Sequence, residues 1–100
     1  MVRLWTWGGV WFGYREGREL WTHDGRHVGR FVADVVYGPF GRYLGEMRGG
    51  RLITRRASKA SRVNAFVAQA PHVATLGHVD LIALPLLAGY EDFPCAKDLR

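Results

Sequence analysis

The first 56 residues repeat with a fixed period of 16 and no insertion or deletion, which restricts the chain to architectures made of identical supersecondary units. Glycine recurs at Gly9, Gly25 and Gly41 and again at Gly13, Gly29 and Gly45. Leu4, Leu20, Val36 and Leu52 form one apolar column, and Trp5, Trp21, Tyr37 and Ile53 form the next. Trp11, His27 and Tyr43 make a third column, and Phe12, Val28 and Leu44 a fourth.

Turn signals fall about every eight residues: Gly8-Gly9, Gly17, Asp24-Gly25, Ala33-Asp34, Phe40-Gly41 and Gly49-Gly50. Glycine supplies the positive φ that tight hairpin turns need, and the segments between are rich in aromatic and β-branched residues. The spacing predicts strands near 2–7, 10–15, 19–23, 26–32, 35–38, 42–48 and 51–55, with strand order following chain order. Gly13, Gly29 and Gly45 fall inside strands, where glycine marks a bend, a bulge or a close approach. The expectation is an aromatic ring from the Trp5, Trp21, Tyr37 column laid over bare backbone.

The fold class expected is all-β, repeated antiparallel hairpins with possible four-fold pseudo-symmetry over residues 1–56, followed by a helix or extended arm over 57–100. Ala60, Val63, Val67 and Ala70 recur at helical spacing ahead of Pro71, so a helix from Ser58 to Ala70 is the preferred reading. The competing reading continues a decayed fourth unit, with Ala57 and Ser61 on the two glycine columns. Val79 to Leu84 could form a short strand. Leu81, Ile82, Leu84, Leu86 and Leu87 need burial, either on the repeats or on a neighbouring subunit.

The pattern Trp/Tyr-x-x-(Asp/Phe)-Gly-Arg-(His/Tyr)-(Val/Leu)-Gly, in Trp21 to Gly29 and Tyr37 to Gly45, resembles the small bacterial 4-fold beta flower proteins. Gly89-Tyr90-Glu91-Asp92-Phe93 is similar to their ending. The resemblance implies hairpins arranged like petals about a four-fold or pseudo-four-fold axis, and it implies no chemistry. A weaker similarity runs to the YD repeats of large bacterial toxin shells. Gly38 and Pro39 depart from the Thr-His of the preceding unit.

Charge is uneven along the chain. Residues 1–62 carry twelve Arg or Lys against five acids, a balance of +7, and residues 63–100 carry two bases against four acids, a balance of −2. The single cysteine, Cys95, excludes an internal disulfide and fits a reducing, cytoplasmic compartment. No signal-peptide pattern opens the chain, and the apolar run from Leu81 to Tyr90, broken by Pro85 and Gly89, falls short of the ~20 residues a membrane span needs.

No constellation of catalytic residues stands out, and neither a cofactor nor a metal is expected. Asp24 precedes Gly25 in a turn, where aspartate bonds its own backbone. His27 shares a column with Trp11 and Tyr43, which makes it a packing ring with a polar tip. His72 and His78 lack ligand spacing, and Cys95 has no evident base partner. Gly8-Gly9 and Gly49-Gly50 lack the context of a phosphate loop.

Two functional classes draw on features of the sequence, and a third, a recognition module presenting aromatic grooves to a peptide or sugar, has no distinguishing feature in it. A meander of short strands leaves open edges and a thin core, which a homo-oligomer would cover. The alternative is single-stranded nucleic-acid binding by arginines interleaved with aromatic rings, with Arg42, Arg55, Arg56 and Arg62 as first candidates. The structural repeat residues, Gly9, Gly25, Gly41, Gly13, Gly29, Gly45, Trp5, Trp21 and Tyr37, are read as parts of the scaffold.

Overall fold

The structure of the protein is a computed structural model that describes residues 1–72, 74 and 77–99. Seven strands follow in chain order: β1 (Val2–Thr6), β2 (Trp11–Glu16), β3 (Glu19–Thr22), β4 (His27–Val32), β5 (Val35–Tyr37), β6 (Tyr43–Arg48) and β7 (Arg51–Arg55). An eighth, β8 (Tyr90–Asp92), lies far along the chain. Each strand pairs antiparallel with the next, in the order expected from the turn spacing. The first and seventh also meet in parallel, through Trp5 opposite Arg51 and Thr6 opposite Leu52. That contact closes seven strands into a barrel and removes the open edges the meander would otherwise present.

The repeat is visible in the register. Leu4 pairs Gly13, Leu20 pairs Gly29 and Val36 pairs Gly45, each followed by a bulge. The long turns close in the same way: Thr6 N–H to Val10 O at 2.9 Å, Thr22 to Arg26 at 2.9 Å and Gly38 to Arg42 at 2.8 Å. The Gly38-Pro39 departure therefore leaves the third turn intact. Leu4, Leu20, Val36 and Leu52 are all fully buried and form the centre of the core, with Phe12, Val28 and Leu44 packed beside them.

Three hairpins (β1–β2, β3–β4 and β5–β6) are contiguous copies, and the fourth is composite. The position after Leu44 in its column is Ala60, which is exposed. The fourth unit instead pairs β7 with β8, Ile53 opposite Asp92 and Arg55 opposite Tyr90. Phe93 then enters the core, its ring edge-on to Phe12 at 5.3 Å. Ala57 sits in a short 3₁₀ turn, Arg56–Ser58, and Ser61 is exposed, so the decayed fourth unit does not form a strand there.

The helix expected from Ser58 to Ala70 is absent. The described residues between 64 and 87 carry no regular secondary structure, and no strand forms at Val79 to Leu84. The reason is competition for backbone donors. A helix would use the Phe66 and Gln69 amides internally, yet here they donate to Pro39 O at 2.8 Å and to His27 Nδ1 at 2.9 Å.

The close approach at the strand glycines also differs from expectation. The neighbouring residues do belong to the aromatic column, but they contribute carbonyls rather than rings. A Cβ on Gly13 would overlap Trp21 O, one on Gly29 would lie 2.7 Å from a Val36 methyl and 3.2 Å from Tyr37 O, and one on Gly45 would lie 2.5 Å from Ile53 O. Only at Gly45 does a ring close in, that of Phe93 at 2.7 Å.

Candidate interaction surface

The described residues of segment 63–88 form a strap that crosses the outer turns against chain order. Val63, His72 and Leu81 donate their amides to Gly41 O at 2.9 Å, Gly25 O at 2.7 Å and Gly9 O at 2.7 Å. Their carbonyls lie where a Cβ on those glycines would sit, at φ values of +82°, +87° and +90°. The turn glycines are therefore required twice, for the left-handed backbone and for the bare surface under the strap. A 16-residue step in the barrel is matched by a nine-residue step in the strap.

Rings and polar tips fill the gaps between these contacts. His72 stacks on Trp21 at 3.6 Å, and its Nδ1 meets the Tyr14 hydroxyl at 3.1 Å. His78 packs on Trp11 at 4.6 Å, and its Nε2 accepts from Arg3 Nε at 3.1 Å. The indoles of Trp5 and Trp7 donate to Val79 O at 3.0 Å and Pro85 O at 2.9 Å, while Asp80 accepts from the Trp11 amide at 2.9 Å. Of the aromatic scaffold column, Trp21 is buried and Trp5 and Tyr37 are half-buried.

His27 is the buried polar ring of this junction. Its Nδ1 accepts the Gln69 amide, so the proton sits on Nε2, which is 3.0 Å from both Gly29 O and Glu19 Oε2. Burial pushes its pKa below the ordinary imidazole value, with Arg30 adding to that; Glu19 and the Gly29 carbonyl oppose it. The ion-pair geometry with Glu19 favours the charged ring, but the strap amide at Nδ1 and the loss of solvent outweigh it.

The strap is held mainly through its backbone, so much of its apolar side-chain surface faces out. Val67, Val79 and Ile82 are 89%, 86% and 85% exposed, and Leu81, Leu84, Leu86 and Leu87 are exposed as well. Between Val63 and Tyr90 the only charged residue is Asp80.

Cations separate into two regions. In the first two hairpins Arg15 pairs Asp34, Arg26 pairs Asp24, and Arg18 and Arg30 pair Glu19, while Arg3 donates to His78. From Arg42 to Arg62 seven cations share two carboxylates, Glu46 and Glu91. The four arginines singled out by the sequence are only partly united. Arg42 and Arg62 oppose each other in an isolated bridge and, with Lys59, line one cavity of about 310 Å³. Arg56 and Lys59 both pair with Glu91, whereas Arg55 lies over the Tyr90 ring.

Asp24 behaves as a turn residue. The Thr22 hydroxyl, then Arg26, hold its carboxyl below the usual range. Among the described residues no group of three His, Cys, Asp or Glu is placed to hold a metal, and no helix is long and apolar enough to cross a membrane. The strap is a second repeat, and its one sequence signal is the recurrence of Ala65, Ala74 and Ala83 at a spacing of nine.

Compared with known proteins, no family, no curated protein and no solved structure matches the chain.

Proposed function

We propose that the protein is a non-enzymatic interaction module that self-associates through the outer face of its strap. The observation that carries this is the row of exposed apolar side chains on Val67, Val79, Ile82, Leu84 and Leu86, which the barrel leaves uncovered. Exposed apolar side chains in this number along one segment point to an interaction site. A second copy fits because the strap is nearly uncharged in a chain of net charge +5, so two molecules can meet strap to strap without opposing their arginines. The four hairpins also support placing the chain beside the 4-fold beta flower proteins, a resemblance that assigns no chemistry.

Nuclease-treated protein run through size exclusion with light scattering tests this reading. A defined multimer is expected, insensitive to salt, and Ile82→Glu with Val79→Glu should convert it to monomer. A wild-type chain that stays monomeric at high micromolar concentration would refute it.

A further inference from the structure

The composite side of the barrel carries a second surface, separate from the strap. Arg42 and Arg62 face each other across an antiparallel bridge flanked by Val63 N–H to Gly41 O at 2.9 Å and Tyr43 N–H to Ser61 O at 3.3 Å. Directly opposed residues of such a pair put their side chains on one side, and like charges placed so repel. The Arg42 guanidinium makes no hydrogen bond or ion pair among the described residues. One nitrogen of Arg62 rests on the carbonyls of Lys59 and Ser61, each at 2.9 Å, which leaves the rest of its fork open. Glu91, the acid lining their cavity, is already taken by Lys59 and Arg56.

The repeat shows that the fold does not need this arrangement. At the position equivalent to Arg42, Arg26 is fully engaged, bound to Asp24 at 3.1 Å and to the carbonyls of Leu99 and Ala96 at 2.5 and 2.7 Å. Where the other turns hold Gly8 and Asp24, the third holds Phe40, whose ring is 83% exposed. A second cavity of about 270 Å³ lies between Phe40, Pro39, Leu44 and Leu99, and Arg42 lines both cavities. Asp98 lines this second cavity but forms no ion pair with Arg42.

We propose that Arg42, Arg62 and Phe40 form a nucleotide-sized subsite for single-stranded nucleic acid. The paired guanidiniums take a backbone phosphate, and Phe40 offers an exposed face to the adjoining base. Arginine forks match phosphate oxygens, and stacking on an exposed ring accepts any base. The anion also removes the Arg42–Arg62 repulsion that the free protein bears.

The test is fluorescence anisotropy with a labelled oligothymidylate, titrated at several salt concentrations, with folding of each exposed-residue variant checked by circular dichroism. Arg42→Ala and Arg62→Ala should each weaken binding about 5- to 10-fold and lower the slope of log K against log salt by about 0.7, one phosphate contact on a single strand. Phe40→Ala should weaken binding roughly 10-fold with the slope unchanged. Arg18→Ala, which removes an exposed cation elsewhere, should leave affinity within about 2-fold. Equal losses in Arg18→Ala and Arg42→Ala would reduce the effect to diffuse charge and overturn the site. So would no binding at low salt, competition by inorganic pyrophosphate as effective as by the oligonucleotide, or indifference to Phe40.

Discussion

The first three hairpins and the fourth are built on the same register but held in opposite ways. Each of the first three is a contiguous stretch whose turn glycine lies under a strap residue, Gly9 under Leu81, Gly25 under His72 and Gly41 under Val63. The fourth is assembled from β7 and the distant β8, has no strapped turn, and is locked by Phe93 entering the core. In the first two hairpins Arg15, Arg26 and Arg30 each meet an acid, whereas Arg42 in the third turn meets none among the described residues, and Arg56 and Lys59, after β7, share the single carboxylate of Glu91. The surface of the proposed subsite lies at the seam between the two, with Phe40 and Arg42 from the third turn and Arg62 from the segment after β7, where the repeat breaks.

The largest expected effect breaks the fourth hairpin. Phe93→Ala removes a buried ring and should cost about 3–5 kcal/mol in urea unfolding. A loss below about 1 kcal/mol would mean that β8 does not complete the core.

The next contrast lies between two glycines with positive φ. Gly17 has nothing near its Cβ position, so Gly17→Ala should cost only the left-handed strain, about 1–2 kcal/mol. Gly25→Ala meets the same strain and also displaces the His72 carbonyl, so its loss should be larger by about 1 kcal/mol or more. Equal losses would show that the strap does not rest on that turn.

These contrasts mark what could be read from residues alone. The seven strands were legible because turn glycines and short aromatic segments are local signals, and the four-membered Leu4, Leu20, Val36, Leu52 column announced the core. The strap was not legible as such. Ala60, Val63, Val67 and Ala70 carry a helical spacing, but the competing acceptors at Pro39, Gly41 and His27 exist only once the barrel has formed. At the strand glycines the column next to Leu4, Leu20, Val36 and Leu52 supplies a carbonyl near each and no ring, with a Val36 methyl nearest Gly29 and the Phe93 ring, from outside the column, also close to Gly45. Arg42 and Arg62 meet because the chain reverses after β7, a pairing that spacing cannot convey.

A smaller effect separates the strapped region by pH. His27 has a folded pKa below its unfolded value near 6.5, so the unfolded chain takes up the proton first. Its contribution is complete above that value and is lost as pH falls below it. The facing groups are Glu19, Arg30, Trp21, Phe66 and the Gln69 amide. The His27 ring should therefore titrate below the usual imidazole range by NMR, and the melting temperature should fall from pH 7 to 5.5, less so in His27→Asn. A ring titrating above 6.5 would reverse the assignment.

The smallest effect concerns the inner turns. Ala33 stands at φ +54° where the equivalent positions are Gly17 and Gly49. Ala33→Gly should relieve left-handed strain at the expense of chain entropy, a net gain of a few tenths to about 1 kcal/mol. A clear loss of stability would place the turn outside the common repeat geometry.

The central claim, that the strap follows the barrel's 16-residue step with its own step of nine, is tested most directly by amide hydrogen exchange resolved by residue. Val63, His72 and Leu81 should be protected, with Val67 and Ile82 exchanging near the rate of free chain. Uniformly fast exchange across the segment, or protection of Phe66 and Gln69 without that of Val63, His72 and Leu81, would contradict it.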